Sequence, residues 1–152
     1  MANLYSEINN LLETLLKKLV AADKSGFKLN GKNDKYTLSE ILVLMELLEG
    51  EISMLDLIKS VEMDRGLIST SLTRLTNAGW MTKNRSEKDR RVFLLKLTDE
   101  GHGVATKVKA QFKDTIGLVL KDMTINEQKA VLKFLSKLNQ TTVDKYDPNS
   151  AE

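Results

Sequence analysis

Cysteine is absent from the chain, and histidine occurs once, at His102. The first absence excludes disulfides, thiol-based redox sensing and Cys-ligated zinc. The second rules out a zinc site built from several imidazoles and leaves a Ser-His-Asp arrangement resting on one residue just past an expected helix start. His102 reads as an ordinary solvated helix position, because no base with an orienting partner accompanies it. No glycine-rich phosphate cradle, nucleophile and base pair or metal constellation is present, so nothing points to an enzyme and no cofactor is expected. No apolar run approaches the roughly 18 residues needed to cross a bilayer, and "MANLYSEINN" lacks the basic, apolar, small-residue order of a signal peptide. A cytoplasmic protein without membrane association is expected. The only proline, Pro148, falls in a polar stretch after Thr141, and residues 144–152 are expected to form a flexible tail.

What is present is charge, unevenly placed. The formal net charge is only +2, but the segment from Asp64 to Arg91 holds seven basic residues against three acidic ones, a net of +4, so the rest of the chain sums to −2. A basic middle between neutral-to-acidic ends is the footprint of a segment facing phosphate. Scattered solvated charges would give the same count.

Apolar periodicity lays out the helices. Leu4, Ile8, Leu11, Leu12, Leu15, Leu16, Leu19 and Val20 make one broad stripe on a helix of about twenty residues, which needs a large partner surface. "SGFKLNGKNDKY" has no sustained period and reads as a loop. Thr37 with Glu40 forms a capping box for an apolar helix that stops at Gly50; Ser53 with Asp56 starts a helix of about two turns; Glu62 and Met63 turn the chain; and Asp64 caps a helix to Ala78, followed by Gly79. "WMTKNR" and "VFLLKL" read as two strands joined by a charged tip, with Phe93, Leu95 and Leu97 sharing the core face. Thr98 caps a long helix carrying Val104, Val108, Phe112 and Ile116 at steps of four, in which Gly117 marks a bend or an end. Thr124 and Glu127 box the last helix, with Val131, Phe134, Leu135 and Leu138 on one side.

The helix from Asp64 to Ala78 is the informative one. At about 100° per residue, Leu72 and Leu75 lie within about 40° of Ile68, a narrow buried seam. The opposite half collects Gly66, Ser69, Thr70, Thr73 and Asn77, with Arg74 at its flank and Arg65 just past the cap. Short hydroxyl side chains and a glycine let a helix enter a major groove, where Ser and Thr meet base edges and Thr touches a thymine methyl; Arg74 suits a phosphate and Arg65 either a base or a phosphate. A merely solvated face is the alternative for this helix alone. The hairpin tip adds Arg85, Arg90 and Arg91, which can enter the adjacent minor groove. Asp89 is placed to hold the Arg91 guanidinium; in the alternative it makes only an exposed ion pair.

The stretch "MLDLIKSVEMDRGLISTSLTRLTNAGWMTKNRSEKDRRVFLLKLTDEG" resembles the winged helix-turn-helix core of MarR-type transcriptional regulators. The family's wing signature is matched by Asp89, Arg91, Leu97, Thr98 and Gly101. The resemblance covers about fifty residues from Ser53 to Gly101. It implies a mainly α fold with a small β-hairpin wing: a DNA-binding lobe at 37–98, a helical dimerisation region formed by 1–24 with 99–143, and a homodimer bound to double-stranded DNA at a pseudo-palindromic operator. It further implies that Ser69, Thr70 and Thr73 read bases, Arg74 a phosphate, and Arg91 the minor groove with Asp89 orienting it. Repression is the expected outcome, with release by a small-molecule effector between the dimer helices and the DNA-binding lobe. Tyr36, Met45 and Phe112 are candidate effector contacts, although each also reads as a core position. The alternative is a winged-helix interaction module or antirepressor that does not itself read DNA. Two departures stand out: the segment from Ser25 to Tyr36 is long for the family, and "TLSE" lacks its usual early Gln.

Overall fold

Side-chain caps set most of the helix boundaries in the computed structural model, which describes residues 3–141. The expected tail at 144–152 lies outside the described residues. The elements are α1 (Leu4–Ser25), β1 (Phe27–Lys28), β2 (Lys35–Tyr36), α2 (Leu38–Leu47), β3 (Ile52–Ser53), α3 (Met54–Val61), α4 (Arg65–Asn77), β4 (Met81–Arg85), β5 (Phe93–Leu97), α5 (Asp99–Leu120) and α6 (Ile125–Asn139). Thr37, Ser53, Asp64 and Thr124 are N-caps, each accepting a backbone N–H from three residues on, and the boxes at Thr37–Glu40 and Thr124–Glu127 close in both directions. Each such cap satisfies donors that the first helical turn leaves unpaired. Glu62, left-handed at φ 54°, ends α3, and Gly79 at φ 80° turns the chain out of α4.

Two small antiparallel sheets are present among the described residues, β1-β2 and β3-β5-β4. The first replaces the expected loop. Its turn is Asn30–Gly31, both at positive φ (55° and 67°), closed by Lys32 N–H donating to Leu29 O at 3.2 Å. Two positive φ values in succession make the turn that matches strand twist, and Asn-Gly supplies them with little strain. β3 is also unanticipated: Ile52 and Ser53 pair with Leu95 and Leu94, so Ser53 serves both as strand end and as the cap of α3. The wing strands pair from Met81↔Leu97 to Arg85↔Phe93.

The chain divides into two compact units between Gln111 and Phe112, inside α5. In the first, Leu44, Leu57, Ile68, Leu75, Trp80 and Leu95 are wholly buried in one cluster. The expected seam of α4 is its buried side, with Leu72 3% exposed between Ile68 and Leu75; each such side chain contributes about 1.5–3 kcal/mol. On β5 the core face is shorter than expected. Leu95 is buried and Leu97 packs against the core, whereas Phe93 is half-buried and carries the cations of Lys83 and Arg85 over its ring at 4.3 and 4.8 Å. α1 buries none of its residues; near its C-terminal end Asp23 Oδ1 accepts Leu38 N–H at 2.7 Å, tying the helix to the start of α2.

In the second unit α6 follows the end of α5 through a tight turn, with Gln128 Nε2 donating to Met123 O at 3.0 Å. Gly117 does not interrupt α5. α6 leaves Ile125, Leu132, Phe134, Leu135 and Leu138 exposed.

Candidate nucleic-acid interface

On α4, Arg65, Gly66, Ser69, Thr70, Thr73 and Asn77 are all exposed. The two threonine hydroxyls bond back onto the helix itself: Thr70 Oγ1 donates to Gly66 O and Thr73 Oγ1 to Ser69 O, both at 3.0 Å. With those protons engaged, each threonine oxygen keeps lone pairs free to accept, on residues that are exposed. Such a face can accept hydrogen bonds from the amino groups of adenine or cytosine and can make apolar contact with thymine. Gly66 has a second reason to be small, since a Cβ there would lie 3.2 Å from Oδ1 of the capping Asp64.

The exposed side of α4 is continuous with the wing. Ser69, Leu72, Thr73, Thr76, Asn77 and Lys83 line one open groove of about 280 Å³. Thr76 and Lys83 join the site without having been expected there. For Lys83 a signal existed, because it lies two residues before Arg85 on the same strand and therefore on the same face.

At the tip, the turn from Ser86 to Val92 is closed by Ser86 N–H to Val92 O at 2.8 Å and by Val92 N–H to Asp89 O at 3.0 Å. Asp89 then holds Arg91 three ways: Oδ1 accepts both the backbone N–H and Nε, and Oδ2 accepts Nη2, each at 3.1 Å. This two-pronged pairing is the contact anticipated from the Asp-x-Arg spacing. The Arg91 side chain nevertheless remains 91% exposed. Hydrogen bonds from the Arg91 side chain, and then from its backbone, hold the Asp89 carboxyl below its usual range. Arg85 braces the same turn, donating from Nη1 to Arg90 O at 2.7 Å.

Arg74 departs from the phosphate contact expected of it. It is half-buried, with Nη1 2.9 and 3.0 Å from the two Glu40 carboxylate oxygens, Nη2 2.6 Å from Lys35 O, and its guanidinium 5.0 Å over the Tyr36 ring. Tyr36 departs too. It is 3% exposed, stacks on Trp80 at a centroid distance of 4.7 Å and belongs to the core, its remaining surface lining a cleft of about 250 Å³ with Asp34, Arg74, Asn77 and Ala78. Burial and the neighbouring Asp34 push its phenol upward, and Lys32 and Arg74 oppose this. Met45 lines a different cleft, of about 350 Å³, with Leu42 and Val61. Phe112 is exposed in the second unit.

The family model described as transcriptional regulator SarA/Rot matches residues 26–108, more than half of the chain. The chain belongs to the SarA/Rot family of transcriptional regulators. Streptococcus pneumoniae FabT, solved in complex with DNA, is 26% identical with a TM-score of 0.75, over 90% of this chain and 95% of that one. Lactococcus lactis ZitR, a zinc-responsive MarR family member, shares the fold at 22% identity and a TM-score of 0.69, over 90% of this chain and 97% of its own. Among the described residues, no group of three His, Cys, Asp or Glu side chains is placed to hold a metal ion. The HTH-type transcriptional regulator YwhA of Bacillus subtilis is 26% identical over 60% of this chain and 66% of its own length. Across the curated relatives matched, the chain spans 54% to 66% of their length. The winged-helix fold that the wing signature implied is thus shared with FabT and ZitR. Among the described residues no helix is long and apolar enough to cross a membrane.

Proposed function

We propose that this regulator binds double-stranded DNA as a homodimer, with α4 in the major groove and Arg91 in the neighbouring minor groove, and represses transcription from a pseudo-palindromic operator. The observation that carries the reading is the pairing of an exposed, short-side-chain face on α4 with an exposed arginine pre-aimed by Asp89 on the adjoining hairpin. Fixing the guanidinium before contact lowers the entropy lost on insertion, and the narrow minor groove supplies the strongest negative potential. Arg65, Gly66, Ser69, Thr70, Thr73 and Asn77 are assigned to the major groove; Arg90 and the Arg85-braced turn flank the minor-groove contact.

Dimerisation is supported by the apolar stripe of α1, on which Leu4, Leu11, Leu16 and Val20 are each exposed by 61–70%. An apolar surface of this kind is costly to leave in water, and two-fold pairing is the common way of covering it. Symmetry then sets the half-sites about one helical turn apart. A small molecule that favours a dimer with wrongly spaced α4 helices would release the operator with a coupling of about 1–3 kcal/mol.

Selection of bound DNA from a random pool, followed by anisotropy titration at several salt concentrations, tests the reading. The expected outcome is a two-fold symmetric site whose affinity falls by roughly 0.9 log units per tenfold rise in salt for every phosphate contacted. A pool that yields no enriched symmetric sequence, or binding indifferent to salt, would overturn it in favour of a winged-helix protein-interaction module.

A further inference from the structure

We propose that Arg74 is a positioning residue of the DNA-reading helix, locked onto the buried Glu40 carboxylate, and makes no contact with phosphate. The inference rests on the reading of α4 as the major-groove helix. Glu40 is 2% exposed, and its carboxylate accepts three hydrogen bonds from two donors: Arg74 Nη1, shared between both oxygens, and Thr37 N–H at 2.7 Å on Oε2. A carboxylate removed from water in this way needs its partner. If Arg74 swung outward to reach a phosphate, Glu40 would be left buried and half-satisfied, Lys35 O would lose its donor, and the cation over Tyr36 would be vacated. An exposed ion contact returns less than that loss.

The clamp joins segments far apart in sequence. Arg74 spans 34 residues to Glu40 and 39 to Lys35. The same first turn of α2 also receives α1, through Leu38 N–H to Asp23 Oδ1. Behind it, Tyr36 rests on Trp80, whose Nε1 donates to Glu100 at 3.4 Å, while Lys32 pairs with Glu100 at 3.3 Å and lies 5.4 Å over the Trp80 ring. Arg74 is one turn beyond Thr70 on α4 and next to Thr73, so whatever fixes its guanidinium fixes the rotation and depth at which those two side chains are offered. The β1-β2 hairpin and the start of α2 thus form the template against which α4 is set.

A double-mutant cycle tests this with Arg74→Met, Glu40→Gln and the two combined, reading operator affinity across a salt series and thermal unfolding by circular dichroism. Glu40 is buried and cannot touch DNA, and glutamine keeps the acceptor for Thr37. Affinity is expected to fall tenfold or more in each single variant. The double variant should lose less than the product of the two losses, and the salt slope should stay as in the unaltered protein throughout. A phosphate contact predicts the opposite: Arg74→Met lowers the slope by about 0.9 while Glu40→Gln leaves affinity unchanged, and that result overturns the proposal. Should Arg74→Met fail to fold, Arg74→Lys decides, because lysine preserves a phosphate contact but cannot hold both Glu40 and Lys35 O in one planar fork. Loss of affinity in Arg74→Lys at unchanged slope supports positioning, and full affinity overturns it. Absence of salt-dependent binding by the unaltered protein sinks the DNA reading and this inference together; the other adverse outcomes sink this inference alone.

Discussion

Replacing Arg91 with alanine is expected to weaken operator binding more than tenfold while leaving the circular dichroism spectrum and the unfolding temperature unchanged. Both halves of that outcome come from the same geometry. The side chain is 91% exposed and tied to Asp89, so its removal takes little from the fold. What disappears is a cation already held in one direction, together with the minor-groove contact it makes. Arg91→Lys should be nearly as damaging, since an ammonium cannot pair with both Asp89 oxygens in one plane and re-enters the groove unaimed. The pair also sets the response to acid. A carboxyl held below its usual range keeps the pairing at every pH above that lowered value and loses it only as pH falls through it. Binding through the wing should therefore be flat between about pH 6 and 8. Affinity unchanged in Arg91→Ala would remove the wing from the mechanism, and a step in affinity near neutrality would assign the pairing to some other group.

Local signals carried most of the fold. The caps at Thr37, Ser53, Asp64 and Thr124, the Ile68–Leu72–Leu75 seam and the two wing strands depend on neighbours within a turn or a strand, and all were readable. β1, β2 and β3 were not, because two-residue strands carry no period. The Asn30-Gly31 turn signal was present, but only Phe27-Lys28-Leu29 alternates before it, and the polar run of residues 32–35 follows. At the candidate site the limit was of another kind. A helical wheel places Arg74 at the flank of the polar face, and that is where it lies; nothing local says that the flank meets a carboxylate 34 residues upstream. Asp89 and Arg91, two residues apart, could be paired from the sequence alone.

Gly101→Ala is expected to cost about 4 kcal/mol or more, the range reserved for a wrecked packing contact, and to lower the unfolding temperature by about 8–16 °C. Gly101 is buried in the first turn of α5, against the backbone of Trp80. A Cβ built there would overlap the Trp80 carbonyl oxygen and stand 2.6 Å from its carbon and 2.9 Å from its Cα. Neither partner can yield. The Trp80 carbonyl is accepting Thr98 N–H at 3.0 Å, and Thr98 Oγ1 ties the same corner by donating to Gly79 O at 2.7 Å while accepting Gly101 N–H at 3.1 Å. The Trp80 side chain is wholly buried behind it. The Leu-Thr and glycine of the wing signature thus mark the place where α5 is pressed onto the turn leaving α4, and a methyl group would push the two apart. Gly103→Ala is the matched control two residues along the same helix, where an added Cβ meets nothing within 4 Å. It should stabilise by about 1 kcal/mol, the ordinary gain of alanine over glycine in a helix. Equal melting temperatures for the two variants would mean that α5 does not start against Trp80. If only Gly101→Ala loses operator affinity as it loses stability, the corner that seats α5 is also the support on which α4 and the wing are held.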